Sequence, residues 1–146
     1  MQLTGSTLQS ERLFAASPAA LFAAFSDPAK LARWWGPDGF TNTFLVFEFT
    51  PGGQWIFVMH GPDGTDYHNE SVFRVIEPES CIVIEHVVQP WFSLRITLTP
   101  RDGGTFLTWE QEFESREIAE KLRPVCEPAN EQNLNRLAAV LADTAV

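Results

Sequence analysis

Positive charge is scarce in this chain: Lys and Arg number 10 among 146 residues against 19 Asp and Glu, a formal charge of -9. Such a balance repels phosphate backbones and anionic lipid surfaces, so nucleic-acid binding is not expected. Cysteine is equally sparse, and Cys81 and Cys126 have the spacing of neither a zinc site nor a redox pair. Both read as small, reduced core residues. No apolar run approaches the length of a membrane span, and Met1 to Thr7 has neither the basic cluster nor the apolar stretch of a leader. The expectation is a cytoplasmic protein with no membrane insertion. Neither Pro51-Gly52-Gly53 nor Asp102-Gly103-Gly104 is followed by the helix and Lys that a phosphate-cradling loop requires, so nucleotide chemistry is not expected.

Aromatic side chains, by contrast, are abundant: 12 Phe and 5 Trp in a chain that is 45% hydrophobic. A chain of this length forms one domain, 1–146, with a core that needs no staple; residues 1–7 are expected to be flexible. An interior this rich in rings suits either an ordinary core or the lining of an apolar ligand cavity.

The most informative stretch runs from Asp27 to Pro37. Asp27 is a cap for a helix that Pro28 opens, and Gly36-Pro37 cannot continue it. Leu31, Trp34 and Trp35 fall on one side, a heavy aromatic load for so short an element. Just before it, Ser17-Pro18 starts another helix striped by Leu21, Phe22 and Phe25.

Around this helix pair the period is that of strands. Leu8 to Phe14 alternates before it, and six further strands follow: Thr41 to Phe49, Gln54 to His60, Tyr67 to Ile76, Cys81 to Val88, Phe92 to Pro100 and Thr105 to Glu114. Turn signals separate them as in an antiparallel meander. The last third is helical, and Pro124 and Pro128 are expected to divide it. Ser115 caps a short piece carrying Ile118 and Leu122. Pro128 opens a longer one whose stripe is Leu134, Leu137, Ala138 and Leu141. The fold class is therefore α+β, a seven-stranded curved antiparallel sheet around a long C-terminal helix, with two short helices between strands 1 and 2.

Alternation assigns faces. Trp55, Phe57 and Met59 point inward, as do Ile82, Ile84 and His86, then Leu94, Ile96 and Leu98, and Leu107, Trp109, Gln111 and Phe113. Tyr67, Asn69, Ser71 and Phe73 join them unless a bulge shifts the register. The enclosed space is the candidate site, with Trp55, Phe57, Phe73 and Trp109 as apolar wall and Tyr67, Asn69, His86 and Gln111 as polar groups that orient a small ligand. Trp35 either joins the mouth or anchors in the core beside Trp34. His60 and His68 point outward, and no metal site or cofactor is expected. Ser71 with His86 lacks the partner acid a hydrolase needs.

The segments Asp27-Pro28 through Trp34-Trp35-Gly36-Pro37, Gly39-Phe40-Thr41, Pro51-Gly52-Gly53, Gly61-Pro62-Asp63-Gly64 and Gln132 to Leu137 together resemble one family. It comprises bacterial proteins similar to the activator of the 90-kilodalton heat-shock protein's ATPase, within the START-like (SRPBCC) superfamily. The resemblance spans about Leu8 to Leu141 and implies the helix-grip fold, with its cavity between sheet and terminal helix. Where such relatives often carry Gly-Trp before the Gln of the terminal helix, this chain has Ala129-Asn130-Glu131. The cavity wall there should be roomier or more polar, and Asn130 joins the candidate residues. Three functions stay open: binding of a small hydrophobic, aromatic or lipid-like molecule; cyclase- or dehydratase-type chemistry on one, with His86 or Tyr67 as acid or base; and a co-chaperone-like interaction module. The corresponding partners are that small molecule, a chaperone, and a second copy of the chain.

Overall fold

The computed structural model describes residues 2–144. Eight strands form one antiparallel sheet in the order β1-β2-β8-β7-β6-β5-β4-β3. Seven of them are the expected ones: β2 (Thr7–Phe14), β3 (Thr41–Phe47), β4 (Gln54–His60), β5 (Asp66–Glu77), β6 (Cys81–His86), β7 (Phe92–Arg101) and β8 (Gly104–Phe113). The eighth, β1 (Gln2–Thr4), lies in the lead-in over 1–7, where no strand was expected. A turn at Gly5-Ser6 folds Gln2–Thr4 back so that Leu3 pairs with Leu8, which supplies backbone partners to an otherwise open edge. Met1 lies outside the described residues.

Between β2 and β3 sit α1 (Pro18–Ser26) and α2 (Pro28–Trp34). Their starts follow the capping logic: Ser17 Oγ accepts from the Ala20 N–H at 3.2 Å and Asp27 Oδ1 from the Ala29 N–H at 3.0 Å. The sheet curves around the long helix α3 (Arg116–Thr144). Two register shifts, between Phe44 and Val46 and between Phe73 and Val75, help bend it, since a bulge kinks its strand. The second shift follows Phe73, so Tyr67, Asn69, Ser71 and Phe73 keep one face.

The expected break in the terminal helix is not there: Pro124 and Pro128 both lie inside the uninterrupted α3. Each proline removes one donor, leaving the carbonyls of Glu120 and Pro124 without their helical partners. Both prolines are exposed and four residues apart on the outer side of the helix, where water can hydrate what they leave open.

The principal core is aromatic. Trp34, fully buried, donates its indole N–H to the Ala24 carbonyl at 2.9 Å and packs edge-on against Phe25, centroids 4.9 Å apart. That settles its role as the anchor joining α2 to α1. Trp35 meets Trp55 at 4.9 Å, and Trp55 stacks on Phe57 at 4.3 Å. A smaller cluster of Leu8, Phe113 and Ala119 holds the first turns of α3 against the other flank of the sheet.

Candidate functional site

Between these two clusters the interior is not filled. A cavity of about 440 Å³ lies between the inner face of β4–β8, the loop after α2 and the middle of α3. Half-buried to buried rings of Trp35, Phe40, Phe57, Phe92 and Trp109 wall it, with Met59, Ile84 and Leu94 completing the apolar surface. Tyr67 and Val125, 47% and 69% exposed, stand where it meets solvent.

Most residues expected at the site line this space: Trp35, Phe57, Tyr67, Asn69, His86, Trp109, Gln111 and Asn130. Trp55 and Phe73 do not. They share the inward face but lie farther along their strands, stacked 5.8 Å apart and closed over by Phe44, Phe47 and Phe49. Face alternation distinguishes inside from outside, but it does not locate the boundary between filled core and open cavity.

Residues contributed by α3 were mostly missed. Cys126, Ala129, Asn130 and Asn133 follow the i, i+3, i+4, i+7 spacing of one helix face and all line the cavity. The stripe continues into buried Leu134, Leu137 and Leu141. Dividing the helix at Pro128 hid it. Also missed was the loop after α2, Gly36, Pro37 and Phe40, held by Arg136. Its guanidinium donates to the carbonyls of Gly36, Pro37, Arg33 and Phe40, each at 2.9 Å, and to that of Trp35 at 3.2 Å. One turn earlier Asn133 Nδ2 donates to the Trp34 carbonyl at 2.7 Å. These bonds take up the orphan carbonyls at the end of α2 and set the cavity rim.

The polar groups fall into two sets. Cross-strand neighbours Ser71 and His86 occupy β5 and β6, with Asn69 beside them. His86 Nε2 lies 2.8 Å from Asn69 Oδ1, His86 Nδ1 lies 2.8 Å from the Pro90 carbonyl, and Asn69 Nδ2 donates to the Tyr67 carbonyl at 3.0 Å. Two carbonyls end this chain, so all three contacts are true hydrogen bonds only when both ring nitrogens carry protons. Burial opposes that state and pushes the imidazole below its ordinary pKa, against the Pro90 and Val88 backbone, which favour the proton. A neutral ring leaves the chain one hydrogen short: with the proton on Nδ1 Asn69 gives up one of its partners, and with the proton on Nε2 the Pro90 contact is lost. Face to face with Phe92, centroids 4.6 Å apart, the ring is held in place.

The second set is on β8 and α3. Asn130 Nδ2 donates to Gln111 Oε1 at 3.0 Å, and both side chains are more than nine-tenths buried. Cys126 lies beside them, its thiol pushed up in pKa by burial and therefore not activated as a nucleophile. No Asp, Glu, Lys or Arg is among the described residues that line the cavity. On the outer face His60 lies 2.7 Å from Asp66 and His68 2.9 Å from Glu70, each a separate exposed pair. Among the described residues no group of three or more His, Cys, Asp or Glu is placed to hold a metal.

Residues 15–142 match the family model described as activator of Hsp90 ATPase homolog 1-like protein. Solved structures of the same fold include a protein from Arthrobacter aurescens, 27% identical over 94% of this chain and 87% of that one, with a TM-score of 0.87. A protein from Rhodobacter sphaeroides is 27% identical over 94% and 93% of the two chains at a TM-score of 0.85. The AHSA1 protein from Silicibacter pomeroyi is 28% identical over 93% and 97%, at 0.76. Among curated proteins none matches this sequence. No described helix is long and apolar enough to cross a membrane.

Proposed function

This chain belongs to the activator of Hsp90 ATPase homolog 1-like protein family, and from that premise we propose that it binds a small hydrophobic molecule in the cavity between its sheet and α3. The cavity itself carries the reading: about 440 Å³ of space, walled by aromatic rings and bearing a few polar groups, within a domain whose remaining core is closely packed. Such a site has the size and lining of a binding pocket for a molecule of two or three rings. Catalysis by His86 would require one ring nitrogen to reach a ligand, but the ring is stacked on Phe92 and each nitrogen has a protein oxygen 2.8 Å away, from Asn69 or from Pro90, standing between it and a ligand. Binding is therefore favoured over cyclase- or dehydratase-type chemistry. The large exposed apolar residues, Leu13, Leu45, Tyr67, Val87 and Val125, are distributed over β2, β3, β5, the loop after β6 and α3, so a surface interaction module draws less support.

The test has two arms. Native mass spectrometry of the purified protein should reveal a co-purifying small molecule. In parallel, titration with naphthalene followed by 1H–15N correlation spectra should move resonances of cavity residues such as Met59, Ile84 and Asn133 and leave the outer face of β3 still. An empty protein whose spectrum is unchanged by naphthalene up to its solubility limit overturns the proposal.

A further inference from the structure

The hydrogen bond between Asn130 and Gln111 uses one end of each side-chain amide and leaves the other end of each without a protein partner among the described residues. Gln111 Nε2 remains a donor and Asn130 Oδ1 an acceptor, at two residues that are only 7% and 8% exposed and that both line the cavity. Turning both amides over exchanges the roles but leaves the same result, one free donor and one free acceptor on a hydrogen-bonded pair. These two atoms open onto the cavity, and among the described residues no protein group takes up the bond each still offers there. A second observation bears on the same ligand. Among the described residues the lining holds no Asp, Glu, Lys or Arg, the His86 imidazole is disfavoured in the charged form by burial, and the whole chain is strongly acidic at -9. Arg136 at the rim is taken up by five backbone carbonyls, so a carboxylate, phosphate or ammonium entering the cavity would lose its hydration and meet no opposite charge on the described lining.

Resting on the reading of the cavity as a small-molecule site, we propose that its ligand is an uncharged, flat aromatic molecule carrying a carbonyl next to an N–H, a lactam or carboxamide, recognised by Gln111 and Asn130 acting as one donor–acceptor pair. The ligand carbonyl accepts from Gln111 Nε2 and the ligand N–H donates to Asn130 Oδ1. Its rings lie among Trp35, Phe57 and Trp109. Acids of similar shape are rejected by the missing counter-charge, and plain hydrocarbons bind without the directional pair.

Four probes test this by calorimetry and by NMR at pH 7.5: quinolin-2(1H)-one, its N-methyl derivative, naphthalene-2-carboxylate and naphthalene. The lactam should bind roughly tenfold tighter than the N-methyl compound, the cost of one unmade buried hydrogen bond. The carboxylate should be the weakest of the four. In the wild-type protein the lactam should move the side-chain NH2 resonances of Gln111 downfield, as a new acceptor at Nε2 requires, beyond the ring-current shifts that naphthalene produces there, a readout that needs no variant. Gln111→Leu and Asn130→Leu should each reduce the preference for the lactam over its N-methyl form to within about twofold while naphthalene still binds. Equal affinity of the two quinolinones in the wild type, or tightest binding of the carboxylate, overturns the inference while leaving a hydrophobic site in place. Failure of all four, naphthalene included, overturns the site itself.

Discussion

Arg136 donates to the carbonyl of Gly36 at 2.9 Å, a bond that reaches across 100 residues to tie the terminal helix to the loop following the tryptophan pair. The same guanidinium holds four other carbonyls around it. Lys cannot reproduce that fan, because its donors radiate from one point and do not form a planar fork. Arg136→Lys should cost about 2–4 kcal/mol, since several charge-assisted bonds are lost and partly buried carbonyls are left open. Chemical denaturation measures it, and a loss below about 0.5 kcal/mol, the level of an ordinary surface change, would show that the fan is ornamental.

Gly36 carries a different constraint. Its φ is +100°, and an added Cβ would stand 2.8 Å from Met59 Cε and 3.2 Å from Phe40 Cβ, two residues of the cavity wall. Gly36→Ala should therefore destabilise by about 1–3 kcal/mol through backbone strain and weaken naphthalene binding as well. If thermal unfolding and binding both match wild type, the loop is more pliant than its packing implies.

The cavity can be filled from α3. Ala129 faces it, so Ala129→Trp should insert an indole into existing space, lower naphthalene affinity at least about tenfold and leave the melting temperature unchanged or higher. Undiminished binding in a folded Ala129→Trp protein would place the ligand elsewhere.

His86 gives a signed pH dependence. Burial holds its folded pKa below the ordinary 6.5, so the unfolded chain takes up a proton that the folded chain resists. The stability associated with the neutral ring is complete above about 6.5 and is lost as pH falls through that value toward the folded pKa. Urea denaturation between pH 7.5 and 5 should show wild type losing more stability than His86→Gln. Parallel curves for the two proteins would mean that the ring titrates alike in both states.

The two prolines of α3 should be replaceable at a gain. Pro128→Ala restores an N–H that can donate to the Pro124 carbonyl on the exposed side of the helix, and it should stabilise by about 1–2 kcal/mol once the greater freedom of the unfolded chain is counted. A drop in melting temperature would indicate that the proline ring itself packs usefully.

Local chemistry in the sequence was sufficient for the order of the elements from β2 to β8. Ser17-Pro18 and Asp27-Pro28 cap their helices through atoms one turn away, and strand alternation placed His86 and Gln111 inside because successive side chains must point oppositely. Trp34 and Trp35 were legible as a pair but not as individuals. Only the packed fold separates them, burying Trp34 against Phe25 and the Ala24 carbonyl and turning Trp35 toward the cavity.

Other decisions belong to tertiary structure alone. Pro124 and Pro128 break a helix by local rules, yet α3 continues through both, because packing along its inner face outweighs two lost bonds on its exposed side. Residues 2–4 carry little strand signal and become a strand because an open sheet edge lies within reach. The site is the clearest case. Gln111 and Asn130 are ordinary polar residues 19 positions apart, on a strand and on a helix, and nothing local relates them. Where the gripped helix meets the curved sheet, α3 presents Cys126, Ala129 and Asn130 but no ring, and the space left between them and the sheet gives those two amides something to face.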